Sequence, residues 1–446
     1  MRLFPTGETC LSVLAPALAG LALTGLVLFF PGRLESQIPE SLESQSPIQL
    51  QQAPPESVGL SPAGLAAATA ALEAHIEAGD VAGVVAAVVR DGKLVYQEVL
   101  GYGDLETLTP MRFDALFRTY SMTRPITALG ILLLQDEGLL DVNDPVQRYI
   151  PAFANQEVLA SPDAQDISLT RPREGDVTLA QLLTHTSGIG SRNSSLYRAH
   201  NVHSWDQTLR EVVDNVAALP LFDDPGTRYR YGMHSEVLGR VIEVVSGMSL
   251  DDFFVQRIFQ PLGMRETGFR VTPEDRDRLA TVYRPDETGT LHPHQMEDIP
   301  VTQRRRLTSA GVGLISSAGD FLRFSQLLLD GGKVDGNTFL SPEAVRMMAE
   351  NAVPSALLPL GERGYWAGSG WSLGGLAVVL EPGEYDHSVN RDEFWWDGSA
   401  GTRFWIDPHE NMVTIIMAQV SPASGNGFRE GFKTRVYDAI DERRVH

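Results

Sequence analysis

The chain has 446 residues, 43% of them hydrophobic and 21% charged, with a formal net charge of −21. Its length suggests one large composite domain or two smaller ones, and its composition excludes disorder along the whole chain. The acidic balance makes nucleic acid a poor partner, and Cys10, the single cysteine, excludes an internal disulfide and a cysteine-based metal site.

The run from Leu11 to Phe30 carries no charge and is interrupted only by Ser12, Pro16, Gly20, Thr24 and Gly25. Twenty helical residues rise about 30 Å, the thickness of a hydrocarbon core. Residues 1–33 therefore read as a membrane anchor or as a cleaved signal segment. Ala17 and Ala19 form a small-x-small site, but it falls inside the apolar run, which favours the anchor. On either reading the rest of the chain is expected to be membrane-tethered or exported, with the domain that follows extracytoplasmic (periplasmic). Arg2 and the amino terminus oppose Arg33, so orientation is only weakly encoded. Residues 34–58, rich in Pro, Ser, Gln and Glu, read as a flexible linker.

The folded domain is expected over residues 59–446. Ser61-Pro62 opens an alanine-rich helix that runs to about Ala78. Val81–Arg90 is a β-branched apolar run, Asp91-Gly92 a hairpin turn, and Lys93–Tyr102 the returning strand. A helix is expected from Met122 to Glu137, and residues 142–300 read mostly as helix and loop. Strand-like runs return at Val312–Ser316, Ala377–Leu380, Gly401–Ile406 and Met412–Val420, and a helix closes the chain near 427–441. This order predicts an α/β (α+β) domain: an antiparallel sheet flanked by helices, built from both chain ends, with a mainly helical insertion at about 142–300. No internal repeat and no glycine-rich phosphate loop are present, so nucleotide binding is not indicated. His292-x-His294 is a lone pair in a polar loop, and no other histidines have metal-ligand spacing.

The segment most suggestive of chemistry is Leu116-Phe117-Arg118-Thr119-Tyr120-Ser121-Met122-Thr123-Arg124-Pro125-Ile126-Thr127. Ser121 stands at the mouth of the expected helix, and Pro125 lies in its first turn, where a missing N–H costs nothing. A serine there meets the positive end of the helix dipole, which favours developing negative charge. Taken alone, the stretch reads first as a helix-capping serine. Three more segments follow in the chain: Leu182-Leu183-Thr184-His185-Thr186-Ser187-Gly188; Pro225-Gly226-Thr227-Arg228-Tyr229-Arg230-Tyr231; and Trp396-Asp397-Gly398-Ser399-Ala400-Gly401-Thr402. Together, in this order, the four segments resemble the boxes of the serine β-lactamases, penicillin-binding proteins and related esterases, over roughly residues 58–440.

The resemblance implies a β-lactamase/transpeptidase-like fold and acyl-serine chemistry. Ser121 takes the nucleophile position, and Tyr231 that of general base or proton relay. The backbone N–H groups of Ser121 and Ser399 take the oxyanion hole, with Trp396 and Gly398 lining the acyl site. His185 is expected to shape the helical region. No metal or organic cofactor is implied.

Three departures from the pattern bear on function. The family's lysine falls on Arg124, and a guanidinium cannot lose its proton, so Arg124 can orient Ser121 or lower the pKa of Tyr231 but cannot be the base. Met233 stands where lactamases carry asparagine. Trp396 and Asp397 stand where they carry lysine and threonine, so the cation that meets a substrate carboxylate is missing unless Arg403 supplies it. Phe394-Trp395-Trp396 also reads as ordinary core. These departures point from carboxylated lactams towards small carboxylic esters. The expectation is a serine hydrolase acting on a small ester or amide. Its rivals are a catalytically impaired binding protein, because of Arg124, and a weak β-lactamase or D,D-peptidase. Oligomeric state is not legible.

Overall fold

A computed structural model of the chain describes residues 51–441 apart from Gln165, 295–299, 362–363, 383–389, Ser424 and Asn426. The anchor-or-signal segment 1–33 and residues 34–50 of the expected linker lie outside the described residues. Among the described residues, no helix is long and apolar enough to cross a membrane.

Nine strands form the main sheet: β1 (Gln51–Gln52), β2 (Gly83–Arg90), β3 (Lys93–Asp104), β4 (Thr109–Pro110), β5 (Ser369–Trp371), β6 (Ala377–Val379), β7 (Phe394–Asp397), β8 (Arg403–Asp407) and β9 (Met412–Met417). Their order is β1-β3-β2-β9-β8-β7-β6-β5, with β4 added to β3. The early hairpin therefore meets the late strands at the β2–β9 pair, Arg90 opposite Met412, and the sheet is built from both chain ends as expected. All eight residues of β2 are buried, which is why this strand reads as a continuous apolar run rather than an alternating one.

Helices cover both faces. On β8, Phe404 packs against Phe321 and Phe324 of α5 (Ala318–Leu329). Its neighbours Arg403 and Trp405 meet Glu430 and Lys433 of α6 (Phe428–Asp438). Successive strand residues point to opposite faces, so α5 and α6 lie on opposite sides. On the α6 side, α1 (Pro62–Glu77) packs against α6 and β3. The insertion holds α3 (Leu209–Ala217), α4 (His234–Ser246) and shorter helices, with small hairpins at 158–171 and 283–293. Helix α2 (Thr123–Asp136) packs on α4 and is buried on all sides from Thr123 to Leu134, as expected of a helix enclosed by the fold.

The folded domain begins earlier than composition indicated. Residues 51–58, assigned to the linker, are docked: Gln51 and Gln52 pair in parallel with Lys93 and Leu94, and Pro55–Val58 form a 3₁₀ turn. Arg90 is buried and donates to the carbonyls of Val58 at 2.9 Å and Gly59 at 3.1 Å, and pairs with Glu410 at 2.6 Å. Edge pairing uses backbone groups, which leave no mark on composition. Val312–Ser316 also differs from expectation: only Ile315–Ser316 is strand, and it pairs with Phe117–Arg118 rather than with the main sheet.

Candidate active site

The turn that carries Ser121 is fastened on both sides. Thr119 donates its N–H and hydroxyl to the Leu314 carbonyl at 3.0 and 2.9 Å. Leu314 N–H returns a bond to Thr123 Oγ1 at 3.1 Å, and Thr127 Oγ1 reaches the Ala310 carbonyl at 2.7 Å. Between these anchors Tyr120 takes φ +48°, a left-handed conformation that a bulky residue rarely adopts. The chain bends there into a 3₁₀ turn, Tyr120–Met122, that runs straight into α2. Ser121 is thus half-buried at the amino-terminal mouth of a buried helix.

Arg124, one turn on, is 8% exposed. Its Nη1 donates to the Gly232 carbonyl and to Ser235 Oγ, both at 3.0 Å. Its guanidinium carbon lies 4.3 Å from the centre of the Tyr231 ring. The contact is a cation–π one, and no carboxylate of a described residue pairs with this cation. Tyr231 is held beside it because the backbone of Gly232 lies against Gly190. A Cβ on Gly232 would sit 2.5 Å from the Gly190 carbonyl oxygen, and Met233 N–H bonds that same carbonyl at 3.0 Å.

The Tyr231 hydroxyl is buried, with Ser121 and the Trp396 indole as its hydrogen-bonding neighbours, yet it makes no bond of good geometry. Burial pushes the phenol above its ordinary value; the Arg124 charge and Ser121 pull it down, and Asp397 adds to the rise.

The late box is seated on the serine turn. A Cβ on Gly398 would lie 2.5 Å from the Thr119 carbonyl oxygen and 2.4 Å from Thr402 Oγ1, so only glycine fits. Ser399 at the tip of this turn is exposed. Trp396 pairs with Phe404 across the sheet and shares its face, which is the Tyr231 face. Trp395 and Arg403 lie on the other face. Arg403 stacks 3.9 Å from the Trp395 ring centre and pairs with Glu430 at 2.8 Å. It therefore does not replace the missing cation, because strand alternation turns it away. Asp397 is neutralised by Arg429 at 3.0 Å.

Several residues of this site were not singled out from sequence. Trp371 of β5 stands perpendicular to Trp396 at 4.4 Å, and Trp366 lies within 6.0 Å of both. His185, expected to shape the helical region, packs its ring 4.6 Å from Tyr231 and 5.3 Å from Trp371. Its partner is His234 of α4, Nδ1 to Nδ1 at 2.9 Å. Burial drives both imidazoles down, His185 well below its ordinary value and His234 to about 3, so both are neutral. A histidine three residues beyond the tyrosine, with a tryptophan in the glycine-rich stretch 368–375, was the only available signal.

These residues bring one serine hydroxyl, one buried phenol and one fixed cation together, walled by aromatic rings. That combination suits acyl transfer to serine. Among the described residues, no cluster of His, Asp or Glu could hold a metal ion.

The profile of the protein family described as Beta-lactamase matches residues 68–433. Protein Rv1367c of Mycobacterium tuberculosis is 33% identical over 338 residues, covering 74% of this chain and 84% of that protein. Esterase EstB of Burkholderia gladioli is 28% identical over 365 residues, covering 75% and 85%. Among solved structures, EstCE1, a hydrolase with promiscuous acyltransferase activity, superimposes with a TM-score of 0.72 at 24% identity over 84% of this chain and 99% of that one. At that identity the likeness speaks for the fold.

Proposed function

The chain belongs to the Beta-lactamase family, and on that premise we propose that it is a serine hydrolase that cleaves small carboxylic esters through an acyl-Ser121 intermediate. The carrying observation is the convergence of Ser121, Tyr231 and the Gly398 turn, each from a different segment. Among relatives, an esterase and acyltransferases support ester chemistry. The aromatic face of Trp396 and Trp371, with Asp397 already paired to Arg429, suits a neutral ester better than a carboxylated lactam.

In this mechanism Ser121 adds to the ester carbonyl as its proton passes to the oxygen of ionised Tyr231. The backbone N–H groups of Ser121 and Ser399 receive the oxyanion. Tyr231 then returns the proton to the leaving alcohol oxygen as the C–O bond breaks. Water repeats the sequence to release the acid. Arg124 contributes a fixed positive charge against the Tyr231 ring and takes no proton.

A second reading has its own support. Arg124 cannot accept a proton, and burial keeps Tyr231 largely un-ionised near neutral pH. This favours a slow enzyme, or a protein that binds an acyl ligand without turning it over. Hydrolysis of p-nitrophenyl butyrate by the native protein, beside Ser121→Ala, separates the two. Turnover lost in Ser121→Ala, with fluorophosphonate labelling lost too, supports the hydrolase; no turnover and no labelling of the native protein would sink it.

The charge-free run Leu11–Phe30 supports a tethered or exported domain. Recovery of the full chain in the soluble cytoplasmic fraction would contradict this.

A further inference from the structure

We propose that Trp396 is a positioning residue for Tyr231: its indole N–H is the donor that holds the phenol oxygen towards Ser121 and bonds it more strongly as it ionises. This deepens the hydrolase reading and rests on it.

Two buried polar atoms are neighbours, the Trp396 indole nitrogen and the Tyr231 oxygen, and neither makes a bond of good geometry. Trp396 is 2% exposed, and its Nε1–H has no acceptor; the Tyr231 oxygen has no donor of good geometry. A buried donor left unbonded is costly, so its retention calls for a use. The indole is not free to turn elsewhere. Trp371 stands perpendicular to it at 4.4 Å, Trp366 packs at 5.8 Å, and Trp396 pairs with Phe404 in the sheet. Its ring lies 5.6 Å from that of Tyr231.

The other groups around the phenol are held in different ways, although Arg124 Nε and His234 Nε2 are likewise buried without a bond. Arg124 of α2 lies over the ring face and spends Nη1 on Gly232 and Ser235. His185, before Tyr231 in the chain, and His234 of α4 bond each other and are neutral. Asp397 of β7 is paired with Arg429 and is an acceptor, not a donor. Ser121 is the group from which Tyr231 takes a proton. The Trp396 N–H, as the indole neighbour of the phenol oxygen, is a side-chain donor able to follow charge as it builds there, which is the condition for selective transition-state stabilisation.

Trp396→Phe keeps the ring and removes the N–H. The expected result is a fall of about 10–100-fold in kcat at neutral pH. The alkaline rise of the pH–rate profile should also move to higher pH, with KM little changed. An unchanged profile, or a loss confined to KM, would mean that the indole only packs, and would overturn the proposal.

A second measurement needs no turnover. The indole N–H resonance of Trp396, assigned by its loss in Trp396→Phe, should shift as the native protein is titrated to alkaline pH. In Tyr231→Phe that shift should vanish. A shift that persists without the phenol defeats the proposal. A shift that depends on Tyr231, in a protein that hydrolyses no ester, upholds the contact while the hydrolase reading fails.

Discussion

His185 and His234 meet Nδ1 to Nδ1 at 2.9 Å inside the protein, so one nitrogen must donate and the other accept, and the two rings cannot both be charged without breaking the bond. The pair adjoins the Arg124 cation, which opposes a second positive charge. In the unfolded chain both rings titrate near their ordinary value of about 6.5. Their folded values are depressed, so the unfolded state binds more protons as pH falls below that value, and stability falls with it. Each such group steepens the loss by about 1.4 kcal/mol per pH unit. Denaturant unfolding of His234→Phe between pH 6 and 4 should show a shallower pH slope by about that amount. An unchanged slope would mean that His234 is charged in the folded protein.

The position of Arg124 gives a prediction of gain. A lysine there can lose its proton in a buried site; an arginine cannot. Arg124→Lys should therefore supply the missing base and raise kcat about 10–100-fold for a p-nitrophenyl ester, within the usual range for general-base catalysis. The rise should disappear when Ser121→Ala is added. A fall in kcat in Arg124→Lys would instead assign Arg124 an electrostatic role that an amine cannot fill.

Gly398 is set by space, not by backbone angle. A methyl there would press on the Thr119 carbonyl at 2.5 Å, and Thr119 is tied to Leu314 by two bonds. Gly398→Ala should cost about 1–3 kcal/mol of stability through overpacking. By pushing the serine turn out of line it should also cost on the order of 100-fold in kcat/KM. Thermal unfolding and ester kinetics on the same sample check both. Full activity with a lowered Tm would show that the turn yields without moving Ser121.

On the α6 side of the sheet, Tyr437 Oη lies 2.6 Å from Glu393 Oε2 and 2.7 Å from Asp407 Oδ2. One phenol proton cannot serve two carboxylates. Asp407 already accepts from Asn390, His409 N–H and Glu410 N–H, so the extra proton sits on Glu393. Burial raises Glu393 to about 7, with Lys433 at 2.5 Å opposing the rise. A raised carboxyl stabilises the fold fully below its unfolded value of about 4.5, and that contribution is lost as pH rises towards 7. Glu393→Gln, which cannot titrate, should lack this pH-dependent component between 5 and 8. Parallel stability curves for the two proteins would refute the assignment.

Much of the fold was legible before any coordinates. The β2–β3 hairpin follows from a β-branched run closed by Asp91-Gly92, and α2 from an apolar stretch with Pro125 in its first turn. Both signals are local, and local chemistry fixes turn type and helix start wherever the segment ends up. The four boxes likewise marked Ser121, Arg124, Tyr231 and the Trp396–Thr402 turn, because each is a contiguous string.

What the tertiary structure decided is everything that depends on which surfaces meet. Alternation along a strand puts residues 395 and 396 on opposite faces, but not which face looks at Tyr231; packing against α5 and α6 settled that, and sent Arg403 away with Trp395. His185 and His234 are 49 residues apart, and Trp371 lies further along the chain; no periodicity links them to Tyr231. Residues 51–58 joined the sheet through backbone groups that every residue carries. Sequence alone determined the local elements and the identity of the reactive strings, because short-range sterics and hydrogen bonds encode them. The surroundings of the phenol, and so its proton affinity, were set by long-range burial that no single segment contains.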